Sequence, residues 1–221
     1  MIFAEPTRYG AGIAIYGDYY DFKSLYETVH YLAHNVPLAG KFEEYVLGLA
    51  YEIRHAYQGD REIKQLGTYE FSTDVEKATY IGFKALWPQI MTQAGLLRWA
   101  AGFQCLTRNH QADLFSLEAC VESSLKEYDL NIGTACFDWY TRFSGFSNNY
   151  LLEFIDVCSF EYVSTEKDKM RFRSLPNILR KIYQMSPEYV VFESELNRIA
   201  NEKGCKADDL SDSREWPDFK W

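Results

Sequence analysis

The sequence lacks the features that mark secreted and membrane proteins. Its five cysteines are odd in number, and no two of them are spaced as a Cys-x-x-Cys pair. Most lie between apolar neighbours, which is typical of small core residues in a reducing compartment. The chain has no basic start followed by an apolar run, and its most apolar stretch, residues 86–103, is interrupted by a proline and by polar residues. These absences predict a cytoplasmic protein without a membrane span.

An excess of positive charge is also missing. The 221 residues include 23 Lys and Arg against 32 Asp and Glu, which gives a formal net charge of -9. This charge argues against nucleic acid and anionic membranes as partners, because both attract basic proteins. Residues 166–181 are the exception, since six cations and two carboxylates lie there. The basic segment 167–181 is therefore an alternative site for contact with phosphate or nucleic acid.

The short motifs that assign a reaction class are absent as well. Gly10-Ala11-Gly12 lacks the third glycine of a dinucleotide-binding loop, and no P-loop lysine follows it. The chain contains no Gly-x-Ser-x-Gly and no His-Glu-x-x-His. We therefore expect a protein that is not an enzyme and that holds no cofactor. Missing motifs do not exclude an enzyme, and a metal-dependent enzyme stays open as an alternative.

Aromatic residues, by contrast, are abundant. Seventeen Tyr, fifteen Phe and five Trp make up 17% of the chain. A core and rim rich in tyrosine would contain many of them. The others are candidates for an interface or a ligand groove, where aromatic side chains are enriched. The sequence therefore predicts a soluble, non-enzymatic protein-interaction domain that forms a homo-oligomer through an aromatic-rich surface and has a protein partner of unknown identity.

The pattern of apolar residues predicts a mainly α (α+β) fold. Alternating isoleucines indicate a strand over residues 9–16. Further strands over 63–71 and 79–87 would complete a small N-terminal antiparallel sheet of two or three strands. A helix from Asp74 competes with the last of these strands. The remaining signal is helical, so the sheet is expected to be a minor part of the fold.

Helix start and stop signals divide the helical part of the chain. Two helices over 21–34 and 39–57 are joined by a short loop, which predicts an antiparallel hairpin. Pro176 is expected to start a short helix, while Ser186 caps a longer one that ends at Gly204. The simplest organisation is a single globular domain followed by an irregular tail. Its parts are a sheet and helical hairpin in 1–87, a helical body in 88–205, and a tail in 206–221. Trp216, Phe219 and Trp221 are candidates for docking this tail onto the body.

Two Glu-x-x-His pairs give the spacing that most resembles a catalytic centre. They are Glu27/His30 and Glu52/His55, one on each helix of the predicted hairpin. Paired copies of this spacing build the di-metal centres of some helix bundles. Here each pair lies on the polar side of its helix. Glu27 and His55 also differ in height by about 10 Å, so the four side chains are not expected to share one metal.

A second set of residues lies at more similar heights along the hairpin. Glu27, His30, His34 and Glu44 are the residues we single out for a metal site. Glu44 faces away from the other three on the predicted helices, so a third element would have to complete the site.

The densest run of polar and aromatic groups lies at residues 51–61. It ends a predicted helix, where a cleft against the sheet is expected. The alternative to a functional role is a network of structural hydrogen bonds. The candidates for catalysis in this run are Glu52, Arg54, His55 and Arg61.

Several segments resemble those of an uncharacterised bacterial protein family whose function is not known. The likeness covers most of the chain and implies a bacterial source without implying an activity or a functional residue. The segments are Gly17-Asp18-Tyr19-Tyr20-Asp21-Phe22, Ile53-Arg54-His55-Ala56-Tyr57-Gln58-Gly59, Asn109-His110-Gln111-Ala112-Asp113-Leu114 and Ser147-Asn148-Asn149-Tyr150.

Overall fold

A computed structural model describes most of the chain and contains four β-strands and eight α-helices within the described residues. Helices dominate, and the sheet lies in the N-terminal part, so the prediction of a mainly helical fold with a small antiparallel sheet is confirmed. The described residues are 1–34, 41–67, 77–143, 150–165, 168–183, 185–210 and 214–221.

The sheet has four strands rather than the two or three that the sequence predicts. All neighbours pair antiparallel, in the order β1-β2-β4-β3. The sequence does not predict β1 because four residues are too few to establish an alternating pattern. The competing helix from Asp74 is wrong over 77–86, since this strand pairs with two neighbours. The strands are β1 Phe3–Pro6, β2 Gly12–Gly17, β3 Glu62–Gly67 and β4 Lys77–Leu86.

Two capping signals of the sequence are found in the structure and one helix start is not. The Ser186 hydroxyl accepts a hydrogen bond from the Tyr189 N–H, and Gly204 adopts the left-handed conformation that ends the same helix. Pro176 does not start a helix, because it lies inside one that begins at residue 169. The bounds are α1 Tyr19–His34, α2 Lys41–Tyr57, α3 Trp87–Ala101, α4 Arg108–Tyr128, α5 Leu130–Thr141, α6 Leu151–Ser164, α7 Lys169–Lys181 and α8 Pro187–Lys203, followed by a 3-10 turn Ala207–Asp209.

Helices α1 and α2 form the predicted antiparallel hairpin. The ring of Tyr57 lies 5.6 Å from that of Tyr19, while His34 and Glu43 bond at the other end of the pair. Burying one large apolar side chain contributes about 1.5–3 kcal/mol, so the apolar faces of both helices turn to the core and their polar faces turn outward. The buried apolar residues are Phe22, Leu25, Val29, Leu32 and Ala33 of α1 and Val46, Leu49, Ala50, Ile53 and Ala56 of α2.

One hydrophobic cluster joins the sheet, the hairpin and the later helices. Helix α3 is buried along most of its length and lies at the centre of this cluster. The guanidinium of Arg171 is buried and donates hydrogen bonds to the carbonyls of Tyr9, Val163 and Lys220, which ties the C-terminal tail to the body. Within the described ranges, no helix combines the length and the apolar character that crossing a membrane requires.

Candidate functional site

A row of aromatic rings crosses the outer face of the hairpin, and we call it the tyrosine–histidine stripe. Successive ring centroids lie 4.3 to 5.8 Å apart, in the range of stacked and edge-to-face aromatic pairs. Tyr19 and Tyr20 begin the stripe and are 47% and 77% exposed. Helical periodicity explains the part of the row on α1, because residues four and seven apart lie on one face, and Tyr57 joins it from α2. Its members are Tyr20, Tyr19, Tyr57, Tyr26, His30 and His34.

Hydrogen bonds order the histidine end of the stripe. His34 Nδ1 lies 2.6 Å from a carboxylate oxygen of Glu43, and His34 Nε2 lies 3.3 Å from His30 Nδ1. In the neutral rings His34 Nδ1–H donates to Glu43, which leaves Nε2 to accept from His30 Nδ1–H.

The surroundings of the stripe shift two of its pKa values. Partial burial lowers the pKa of His30, and repulsion from His34 and Arg54 adds to the effect. Burial likewise raises the pKa of Tyr57, with smaller contributions from Tyr26 and Tyr19. Both shifts favour the uncharged side chains, so the centre of the stripe is a neutral aromatic surface at physiological pH.

The four residues predicted for a metal site divide between two surfaces. Glu27, His30 and His34 belong to the outer face of α1, whereas Glu44 lines a cleft on another side of α2. Glu43 bonds to His34 instead, and no spacing in the sequence indicates this carboxylate as a partner. In the part of the chain that the structure describes, no group of three or more His, Cys, Asp or Glu residues is arranged to hold a metal ion.

The residues singled out in 51–61 divide between two sets of partners, although the guanidiniums of Arg54 and Arg61 both lie over the Tyr51 ring, at 5.3 and 6.0 Å from its centre. The His55 ring packs on Tyr51, and its Nδ1 lies 3.2 Å from Asp60 at the end of α2. The guanidinium of Arg54 lies 5.3 Å from the centre of the same tyrosine ring. Glu52 instead accepts two hydrogen bonds from Arg61, at 2.7 and 3.2 Å, and both residues line the cleft. His55 and Arg54 therefore contact groups at the C-terminal end of α2, while Glu52 and Arg61 form part of the wall of the cleft.

The cleft lies between α2, β4, the start of α3 and the C-terminal tail, and its volume is about 690 Å³. The Tyr45 hydroxyl bonds to the Thr92 hydroxyl at 2.6 Å, and the Gln93 side chain donates to the Tyr45 carbonyl, so α2 and α3 are held together beside it. Burial raises the pKa of Tyr45 and keeps its hydroxyl protonated. The aromatic residues lining the cleft are Tyr45, Phe83, Trp216, Phe219 and Trp221.

Carboxylates outnumber cations along the cleft. Both of its cations are paired, because Arg61 bonds to Glu52 and Lys84 lies 2.9 Å from Glu62. Two further carboxylates, on α2 and α6, also belong to the described lining. The lining as a whole combines aromatic rings with charged side chains. Its charged residues are Glu44, Glu52, Arg61, Glu62, Lys84 and Asp156.

Much of the basic segment 167–181 is paired with other groups of the protein. Arg171 is buried among backbone carbonyls. Arg180 pairs with Glu188 at 2.7 Å, and Lys181 pairs with Glu161 at 2.5 Å. The segment's first lysine lies outside the described residues. Three of the five cations that the structure describes here thus have structural roles, which weakens the segment as a phosphate site.

Comparison with known proteins identifies the family of the chain but gives no function for it. A family model described as a domain of unknown function, DUF6904, matches residues 2–221. The chain belongs to this family, so the resemblance to an uncharacterised family that the sequence suggested is confirmed. No curated protein and no solved structure matches the chain. Its function therefore has to be inferred from its own surfaces.

Proposed function

We propose, for this member of a family of unknown function, that the chain is a non-enzymatic interaction domain that self-associates through the tyrosine–histidine stripe. The observation that carries the proposal is the contiguous row of aromatic rings on the outer face of the hairpin, which is exposed at its two ends and half-buried at its centre. Tyr and Arg side chains are enriched among the residues that contribute most to protein–protein binding. The stripe and the adjacent Arg54 have this composition.

The charges beside the stripe favour a second copy of the chain as the occupant. Lys23 and Glu27 are both exposed and lie one turn apart on the stripe side of α1. A two-fold axis between them would set two α1 helices antiparallel and place Lys23 of each copy opposite Glu27 of the other. The same axis would place Tyr20 opposite His30, so one symmetry operation satisfies both the charges and the rings.

Charge reversal tests this arrangement. We expect light scattering on the unaltered protein to give a mass above the 25.8 kDa of the monomer. Lys23→Glu and Glu27→Lys should each weaken self-association by about tenfold, because two attractive pairs per dimer become repulsive. The double variant, with both charges exchanged, should recover the affinity of the unaltered protein.

Val191→Ser is the matched control for a general effect of surface substitution. Val191 is 69% exposed on α8, away from the hairpin, and its replacement should leave the mass unchanged. A strictly monomeric protein at high concentration would overturn the proposal. Failure of the double variant to rescue the two single variants would overturn the two-fold arrangement.

A further inference from the structure

We infer that the cleft between α2, β4 and the C-terminal tail binds a small, uncharged, flat heterocycle that carries an amino group, with the chemistry of adenine. This inference concerns a different surface from the stripe and does not depend on self-association. The volume of about 690 Å³ falls within the range of small-molecule sites in proteins. The carboxamides and the aromatic rings of the lining indicate the class of ligand.

A buried carboxamide supplies an acceptor for the amino group. Gln93 lines the cleft from α3, and only 9% of its surface is exposed. Its amide nitrogen donates to the Tyr45 carbonyl at 3.1 Å, which fixes the orientation of the amide. No described residue donates to the amide oxygen, and this oxygen is not fully enclosed by the protein. It can therefore accept a hydrogen bond from an N–H group of a molecule in the cleft.

A second carboxamide lies one helical turn away. Gln89 also lines the cleft, and side chains four residues apart on a helix lie on one face, about 5–6 Å from each other. Among the described residues, its side chain has no hydrogen-bond partner. A carboxamide presents a donor and an acceptor side by side, and glutamine uses this pair to recognise adenine. The two glutamines therefore match the edge of an amino-bearing ring.

The aromatic residues of the tail supply a surface for the flat ring itself. Trp216, Phe219 and Trp221 line the cleft. Nucleobases stack on aromatic side chains, because every base has a flat π-face. The hydrogen bond from Arg171 to the Lys220 carbonyl holds this part of the tail in place. The aromatic wall is therefore built into the fold.

The cations of the cleft favour a ligand without a phosphate. Arg61 lies 2.7 Å from Glu52 and Lys84 lies 2.9 Å from Glu62, so both cations of the described lining are already paired. A phosphate group is recognised chiefly by Arg and Lys side chains, and here it would have to displace a carboxylate from one of them. A free base or a nucleoside therefore fits the lining better than a nucleotide does.

Gly48 keeps the space beside Gln93 open from the side of α2. It is an exposed residue in the interior of the helix, where glycine is less favourable than alanine. A Cβ atom at this position would meet only the Gln93 side-chain nitrogen, at 3.7 Å, which is ordinary contact. Alanine therefore fits without strain, whereas a longer side chain would extend into the cleft. This position allows the cleft to be blocked without disturbing the core.

The probe that tests the inference is adenosine, with purine riboside as a matched analogue that lacks only the amino group. Calorimetric titration and tryptophan fluorescence should both show saturable binding of adenosine, with a dissociation constant of about 1 mM or below. Purine riboside should bind roughly fivefold more weakly, because it forms one hydrogen bond fewer. Adenosine monophosphate should bind no more tightly than adenosine.

Three variants locate the probe. Gly48→Ala should retain binding of adenosine, and Gly48→Leu should abolish it while the unfolding midpoint is maintained. In Gln93→Leu, adenosine and purine riboside should bind with equal affinity, because the acceptor for the amino group is removed. Lys23→Glu should leave the affinity for adenosine unchanged, which separates this test from that of self-association.

Several results would overturn the inference. They are the absence of saturable binding of adenosine, equal binding of adenosine and purine riboside by the unaltered protein, and tighter binding of adenosine monophosphate. Unchanged binding in Gly48→Leu would place the probe elsewhere and overturn it too. A preference for adenosine that persists in Gln93→Leu would contradict the recognition of the amino group by this side chain, and the inference would fail with it.

Discussion

The cleft and the tyrosine–histidine stripe are two aromatic surfaces that share helix α2, yet they differ in how their charges are arranged. In the cleft, both cations of the described lining are paired with carboxylates. Along the stripe, burial and neighbouring groups favour neutral side chains at His30 and Tyr57. The first surface is a concave cleft, and the second is a row of rings on the outer face of the hairpin.

Two neighbouring residues of α2 face the two different surfaces. Glu43 bonds to a histidine of the stripe, while the next residue, Glu44, lines the cleft. Consecutive helical residues point about 100° apart, so adjacent carboxylates serve different surfaces. Composition and proximity in sequence therefore cannot assign a carboxylate of this helix to a site.

The largest expected difference between the two surfaces is in stability. Phe83 lines the cleft and is fully buried, with its ring 5.8 Å from that of Phe22. Phe83→Ala should lower the free energy of unfolding by about 3–5 kcal/mol, because it removes buried apolar area and leaves a cavity. Tyr20→Ala, at the exposed end of the stripe, should change it by no more than about 0.5 kcal/mol.

Denaturant unfolding of dilute protein measures both variants of this comparison. Low concentration is needed because self-association would add its own stabilisation to the native state. A loss at Tyr20→Ala equal to that at Phe83→Ala would contradict the assignment of one ring to the core and the other to the surface.

A smaller effect is expected from the paired charges of the cleft. Arg61 and Glu52 form a two-point contact, but about a third of each side chain is exposed, so solvent screens their attraction. A double-mutant cycle with Arg61→Gln and Glu52→Gln should give a coupling energy of about 0.5–1 kcal/mol.

The matched control for this cycle pairs Arg61→Gln with Glu44→Gln. Glu44 lines the same cleft without bonding to Arg61, so its coupling to Arg61 should be close to zero. If both cycles gave the same coupling energy, the contact between Arg61 and Glu52 would have no specific role in the wall of the cleft.

Periodicity within single helices could be predicted from the sequence, whereas contacts between distant segments could not. The pattern of apolar residues placed Glu27, His30 and His34 together on the outer face of α1, where they lie in the structure. The pairing of His34 with Glu43 depends on the rotation of α2 within the hairpin, which packing on the core decides. Local spacing contains no information on that rotation.

The sequence predicts only part of the cleft, because the cleft is also built from contacts between distant segments. A cleft where the end of α2 meets the sheet was expected, and Glu52 and Arg61 line it. Its aromatic wall comes from the tail, more than 150 residues later in the chain. The buried Arg171 donates a hydrogen bond to the tail and so helps to hold it beside the cleft. No local pattern in the sequence indicates this contact.

The smallest expected effect is the dependence of stability on pH through His30. Because the pKa of this side chain is lowered in the folded state, the unfolded chain binds its proton more readily. Its contribution to stability is therefore complete above about pH 6.5 and is lost as the pH falls through the lower folded value.

NMR titration of the histidine ring protons should give a pKa below 6.5 for His30. In His34→Gln this pKa should rise, since one source of repulsion is removed, while His55→Gln should leave it unchanged. A His30 pKa at or above 6.5 in the unaltered protein would contradict the neutral centre assigned to the stripe.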